Sequence, residues 1–402
     1  MSSDKGNKKS NTGTKMATIA VNAGRKFSDE RENSAPIFLN SSYVFEDAAY
    51  GQAVFAGEVD GNIYSRFTNP SVTAFEERMA AMEGGERALA TASGMSAIST
   101  VFLALLSAGD HLVISRSVFG STLNVAHGVL EKLGIEVTPV ALSDLNAWKA
   151  AIRPNTKMLF VETPANPTLE MVDLTALSAL SKENGLTLVV DNVFCTPCLQ
   201  QPLALGADIV VQSATKFIDG QGRVLGGAII GAESLLMDDI FPFIRNTGPT
   251  LSSFNAWVLY KSLETLPLRM ERHCSNAMKV AHFLDEHPRT RGKVHFPGLS
   301  HHPQHELAKK QMTGFGALVC VIFDTIQEAH VFIDALEMAT ITANLGDVRT
   351  LVTHPATTTH SRLSSEQREA AGVYDGLVRF SIGIEDAEDI LADLDQALKQ
   401  LG

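Results

Sequence analysis

The sequence predicts an α/β protein: a mostly parallel sheet with helices on both faces, followed by a smaller α+β C-terminal domain. Three observations carry that expectation. Between residues 87 and 190, short apolar runs alternate with helical stretches at the spacing of βαβ units. The runs Leu188–Val190 and Ile209–Val211 have no polar face, the pattern of strands buried on both sides. Beyond His287-Pro288 the text turns to a few strands and helices with an α+β look.

The elements follow in order. Residues 1–16 open on MSSDKGNKKSNTGTK, polar and without the apolar core of a secretory signal, and read as a disordered tail. Residues 17–75 read as a polar, irregular arm whose informative phrase is Tyr64-Ser65-Arg66-Phe67-Thr68-Asn69-Pro70, ending in a turn. The main domain, 76–265, continues from a helix at 71–83 into a strand at 87–90. Thr91-Ala92-Ser93-Gly94-Met95-Ser96 then opens an apolar helix. Such a turn points free amides and the positive dipole end at an anion, although an ordinary helix cap reads the same way.

Strands at 111–115, 135–140, 157–161 and 186–190 alternate with helices at 121–133, 144–152 and 173–184. Strands at 209–211 and 224–230 complete the set, and helical text fills 252–287. The C-terminal domain, assigned to 266–402, holds strands at 315–323 and 377–383 and helices at 326–337 and 386–399.

Composition narrows the function. A chain of 402 residues is long enough for two domains and a large core. A net charge of −12, with no basic tract outside the tail, argues against nucleic acid or an anionic membrane as partner. No run of 18 apolar residues offers a membrane span. Four cysteines are too few for a disulfide framework, so the cytoplasm is the expected compartment. Cys195-x-x-Cys198 has the spacing of a redox pair or half a metal site. No second pair or nearby His cluster completes a metal site and no thioredoxin-like βαβ unit precedes it, so both thiols read as structural and no metal is expected.

The chemistry gathers at the carboxyl edge of the sheet, where ligands bind in open α/β folds. One apolar run delivers Asp191 to that edge; the next delivers Ser213, Thr215 and Lys216. Singly, these read as sheet-edge caps and turn residues. Together they suit an aldehyde cofactor with a phosphate and a basic ring nitrogen. The lysine binds the aldehyde, the acid keeps the nitrogen protonated, and the hydroxyls take phosphate oxygens.

At these residues the chain resembles the cysteine and methionine metabolism family of pyridoxal-phosphate enzymes. The resemblance rests on Asp191-Asn192, Ser213-Ala214-Thr215-Lys216-Phe217 and the sequel Asp219-Gly220-Gln221-Gly222-Arg223, and extends from about residue 18 to the end. It implies the type I fold of such enzymes, with a seven-stranded, mostly parallel sheet. It implies that Ser93, Gly94 and Met95 complete a phosphate cup with Ser213 and Thr215. Tyr64 and Arg66 would bind the phosphate in a neighbouring subunit's site, within a homotetramer of two tight dimers. Phe119 falls where many members carry a Tyr that stacks on the cofactor; its missing hydroxyl leaves Lys216 to carry the protons and counts against the lyase branch. Asn166 would bond the cofactor's phenolic oxygen or the substrate carboxylate. The piece His301-His302-Pro303-Gln304-His305 matches a polar loop of the family rather than a metal site.

Substrate residues follow from the same resemblance. Arg379 sits in an otherwise apolar strand, where a lone Arg is costly unless paired; its implied partner is the substrate's α-carboxylate. Arg349 replaces a Glu of cystathionine lyases, which favours a distal anion or a neutral ester, and Thr350 beside it is grouped with the substrate contacts. The implied reaction is γ-replacement on an O-acylated homoserine, first O-succinylhomoserine with sulfide to give homocysteine. Cysteine as the nucleophile, an acetyl ester, γ-elimination, and a catalytically silent binding protein remain as alternatives.

Overall fold

In the computed structural model, which describes residues 13–361, 364–370 and 372–401, the main sheet has seven strands. They are β1 (Arg87–Thr91), β2 (His111–Ser115), β3 (Glu136–Val140), β4 (Thr156–Glu162), β5 (Thr187–Asp191), β6 (Ile209–Ser213) and β7 (Gly227–Gly231). Their order is β1-β7-β6-β5-β4-β2-β3. The run from β6 to β3 is parallel throughout, and β7 lies antiparallel to both neighbours.

Side chains alternate between the faces with the period of two that a pleated strand imposes. Leu112, Ile114, Met158, Phe160, Val189, Ile209 and Val211 enter one core. Val113, Leu159, Val161, Leu188 and Val190 enter another. Both faces are therefore covered, which is why the strands read as unbroken apolar runs.

The second sheet runs β10-β11-β12-β9-β8, formed by β8 (Val294–His295), β9 (Leu318–Ile322), β10 (Thr340–Ile341), β11 (Leu351–Thr353) and β12 (Leu377–Ser381). Val319, Val321, Val378 and Phe380 pack beneath the helices 326–334 and 387–399. The same alternation turns Leu318, Cys320 and Leu377 to the large domain's core, and with them Arg379. A 21-residue helix, Leu266–Glu286, precedes this sheet and packs against it.

Four expectations are revised. The arm is not wholly irregular: helices Met16–Asn22 and Ala48–Ala56 lie in it, the second capped by the Asp47 side chain on the Tyr50 amide. The expected tail falls outside the described residues up to position 12, and its last residue begins the first of these helices. The helix expected at 121–133 changes pitch, from α at 120–125 to a π turn at 126–130 and a 3₁₀ turn at 131–133. The strand expected at 224–230 begins at Gly227, because the Gly226 amide turns away to the Thr215 hydroxyl at 3.2 Å.

Candidate active site

Parallel pairing brings the carboxyl ends of β4, β5 and β6 to one edge. Glu162 and Asp191 are register partners there, and Ser213 ends the next strand. Lys216 follows one turn later, its amide bonded to the Ser213 carbonyl at 3.2 Å. The helix Gly94–Leu105 starts against this turn, capped by the Ser93 hydroxyl on the Ser96 amide at 3.1 Å. A Cβ on Gly94 would stand 2.5 Å from the Ser213 Cβ, so only glycine allows the two segments to meet. The 91–96 turn and the 213–216 turn thus meet in one cluster at the sheet edge.

Lys216 is the centre of it. Its Nζ donates to Asn344 Oδ1 at 2.5 Å. Burial and then the nearby Arg379 charge lower its pKa to about 8. The loop carrying Asn344 comes close because Gly346, at φ +78°, leaves space where a Cβ would stand 2.5 Å from the Phe217 amide nitrogen. From behind, the buried Arg269 donates to the carbonyls of Phe217, Ile218 and Ser262 and holds the lysine's turn in place.

Asp191 is buried, with Oδ1 accepting from the Val193 amide at 3.1 Å. Burial pushes its pKa up to about 7. Glu162, also buried, is pushed well up by burial and by Asp191. Its Oε2 accepts from the Phe119 amide at 2.8 Å and its Oε1 from the Asn166 amide at 3.1 Å. Phe119 itself is 41% exposed, so its ring stands at an open surface of the site.

Arg379 is buried and bridges the domains. Nη1 donates to Asn166 Oδ1 at 2.7 Å, and Nη2 donates to the Asn344 carbonyl at 2.9 Å. Its Nε is buried without a partner among the described residues. Burial lowers its pKa to about 10. Its hydrogen-bond acceptors are neutral, so none of its N–H groups is taken by a carboxylate within the described residues, which suits an incoming carboxylate.

Several expected residues do other work in this single chain. The Thr215 hydroxyl is bonded to the backbone of Gly226 on both the N–H and the carbonyl side. Thr350 is buried and tied up: its amide and hydroxyl donate to Glu385, and the hydroxyl accepts from the Gly383 amide. Arg349 grips Asp347 through Nε and Nη2, both at 2.9 Å, with its side chain 64% exposed. Arg66 donates to the Arg245 carbonyl and lies over the rings of Tyr64 and Phe67. Met95 meets the Thr122 hydroxyl through its sulfur at 3.8 Å. Cys195 precedes and Cys198 lies within the short helix Thr196–Leu199 after β5, all four cysteines are free thiols, and His305 bonds the Pro297 carbonyl and stacks on Phe315.

Sequence reasoning gave no role to Asn344 and Glu162. Asn344 lies 128 positions from Lys216 in the chain, and no local pattern links them. Glu162 did carry a signal, a carboxylate ending a buried strand directly beside the strand that ends in Asp191.

The donor set suits pyridoxal phosphate. The Ser213 hydroxyl and the first-turn amides of Gly94 and Met95 lie in the same cluster and would be the groups to take phosphate oxygens. Lys216, its pKa lowered to about 8, would supply the amine, Asp191 would supply a buried acid for the ring nitrogen, and the buried Arg379 Nε, unpartnered among the described residues, would suit an anionic group.

Comparison with known proteins agrees with that geometry. Residues 17–399 match the Cys/Met metabolism PLP-dependent enzymes. The chain is 51% identical to an O-succinylhomoserine sulfhydrylase of Pseudomonas aeruginosa, over 97% of this chain and 96% of that one. It is 46% identical to an O-succinylhomoserine sulfhydrylase of Mycobacterium tuberculosis, over 96% of each. The crystal structure of metB from Corynebacterium glutamicum is 37% identical, with a TM-score of 0.92, covering 98% of this chain and 100% of the other.

Proposed function

The chain belongs to the Cys/Met metabolism PLP-dependent enzymes, and from that premise we propose that it replaces the γ-acyloxy group of O-succinylhomoserine with sulfide, releasing succinate and homocysteine. The observation that carries the choice of ester is Arg349. Asp347 holds its Nε and Nη2, which leaves Nη1 turned away from the pair on an exposed side chain. That free N–H edge suits the distal carboxylate of a succinyl group. The sulfhydrylases of the two relatives above support the same ester and the same nucleophile.

Bound at Lys216, the cofactor supplies an electron sink for a carbanion on the substrate. The protein's own groups do the rest. Arg379 takes the α-carboxylate and so fixes the amino acid against the site. Asp191, its pKa raised to about 7 by burial, would be drawn to its anionic form by a protonated ring nitrogen beside it and would hold the proton there. Lys216, once its amine is released, moves protons at the α- and β-carbons; its lowered pKa suits both directions of transfer near neutrality. Phe119 offers a ring face without a hydroxyl, so the amine is left as the proton carrier. Asn344 Oδ1 gives the freed amine a fixed resting place.

The arm supports an assembly with shared sites. Leu39, Val44, Phe55 and Tyr64 are 68%, 97%, 60% and 40% exposed on one chain, a large apolar area to leave in water. Docking against a second copy would cover it and carry Tyr64 and Arg66 to that copy's phosphate cup, within a homotetramer of two dimers. Four free thiols suit the reducing cytoplasm.

The deciding measurement offers O-succinylhomoserine with equal sulfide and cysteine. Homocysteine is the expected product. Cystathionine would assign the chain to the branch that uses cysteine, and α-ketobutyrate alone would mean elimination. The ester choice has its own test: Arg349→Glu should lose roughly tenfold or more in kcat/KM for the succinyl ester while leaving an acetyl ester nearly unchanged. Unchanged preference would remove Arg349 from recognition.

A further inference from the structure

Among the described residues, the carboxylate register-paired with Asp191 is Glu162, to which neither sequence nor similarity assigns a task. Glu162 joins three parts of the site. One oxygen takes the amide that sets Phe119, the other takes the amide that sets Asn166, and the group lies beside Asp191 across the strand pair. Asn166 in turn bonds Arg379 at 2.7 Å. Burial and then the neighbouring Asp191 push the Glu162 carboxyl well above the usual carboxylate range, and the two N–H donors and Arg379 offset this only in part. The charged or titratable groups facing this pair are the two carboxylates themselves and Arg379.

We propose that Glu162 is a positioning residue for the cofactor: it fixes the Phe119 and Asn166 segments around the site, and the charge it would take up beside Asp191 when a protonated ring nitrogen binds there would strengthen the hold on that cation. Two adjoining buried carboxyls each disfavour ionisation of the other. A pyridinium N–H⁺ on Asp191 would draw the pair toward its ionised form, with the Glu162 proton passing to solvent, so the pair would bind the protonated ring more tightly than Asp191 alone. No bond of the ring changes; its proton stays on the ring nitrogen. The inference rests on the assignment of Asp191 to that nitrogen and is independent of ester and nucleophile.

The test loads the full-length enzyme with pyridoxal phosphate labelled with ¹⁵N in the ring and follows the nitrogen resonance against pH. Glu162→Gln removes the charge and turns an N–H₂ toward one of the two amides. The expected result is a fall in the pH at which the ring nitrogen loses its proton, with about tenfold weaker cofactor binding, the scale of one unpaired buried donor. Glu162→Asp keeps the charge but is too short to reach both amides. It should keep the wild-type midpoint and lose cofactor affinity alone, and it stands as the test if the Gln variant does not fold. A fall of the midpoint in Glu162→Asp would overturn the charge argument. An unmoved midpoint in Glu162→Gln, with a lost proton in Asp191→Asn, would reduce Glu162 to a scaffold residue. An unmoved signal in Asp191→Asn would instead overturn the Asp191 assignment on which the inference stands.

Discussion

Lys216→Ala should be purified colourless, lose added pyridoxal phosphate on desalting, and fall in kcat by roughly 10³-fold or more, the scale of a missing general base. The turn itself should survive, because it is held by Arg269 on the carbonyls of Phe217 and Ile218 and not by the amine. Unchanged thermal unfolding of the cofactor-free protein would therefore accompany the lost activity. In the wild type, covalent capture of the cofactor by the cofactor-free enzyme should quicken with pH and level off above about 8. The neutral amine is the nucleophile, and burial with the Arg379 charge lowers its pKa to that value. Arg379→Ala removes the second of those causes and should shift the midpoint upward. Mixing Lys216→Ala with Arg66→Ala subunits should restore part of the activity if the arm serves a neighbour's site. A mixture as inactive as its parents would argue for self-contained sites.

The second large effect is expected at Arg379. Replacement by Ala should cost roughly 2–5 kcal/mol of transition-state binding, a fall of about 10²-fold or more in kcat/KM, because a desolvated carboxylate would be left without its partner. Most of the loss should appear in KM, since the α-carboxylate is bound in ground and transition states alike. Arg379→Lys restores the charge but not the planar fork and should recover only part of the loss. Some stability should go too: Asn166 Oδ1 and the Asn344 carbonyl lose their donor in a buried place. A variant with wild-type KM for the amino-acid ester would exclude Arg379 as the carboxylate clamp.

Local text carried much of the fold. Leu188–Val190 and Ile209–Val211 read as buried strands because both faces are apolar, and the sheet covers both faces. Helix starts were legible where a side chain caps them, as with Ser93, Asp144, Asp173 and Asp386. The pitch changes after Val125 were not legible, because π and 3₁₀ turns use the same residue types as the α-helix and differ only in which carbonyl each amide reaches. The two short helices of the arm were missed for a related reason: segments of seven and nine residues show too little periodicity to stand out from polar text.

Within the site, Asp191 and Lys216 could be read from the chain because each lies at or just past the end of its own apolar run. Whatever depends on pairing between distant segments could not. Thr215 and Thr350 carry hydroxyls that read as available, yet backbone groups and Glu385 take them up. Asn344 read as an ordinary loop residue and Glu162 as part of a strand end with no task of its own, yet one holds the lysine amine and the other two site amides.

The sequence by itself determined the strand periodicity, the edge at which acid and lysine emerge, and the family. Those properties depend on neighbours one to four positions apart. Only the tertiary structure decided which partner each polar group found. A buried donor or acceptor must be satisfied by whatever the fold brings within about 3 Å, and here that partner often lies a hundred or more positions away.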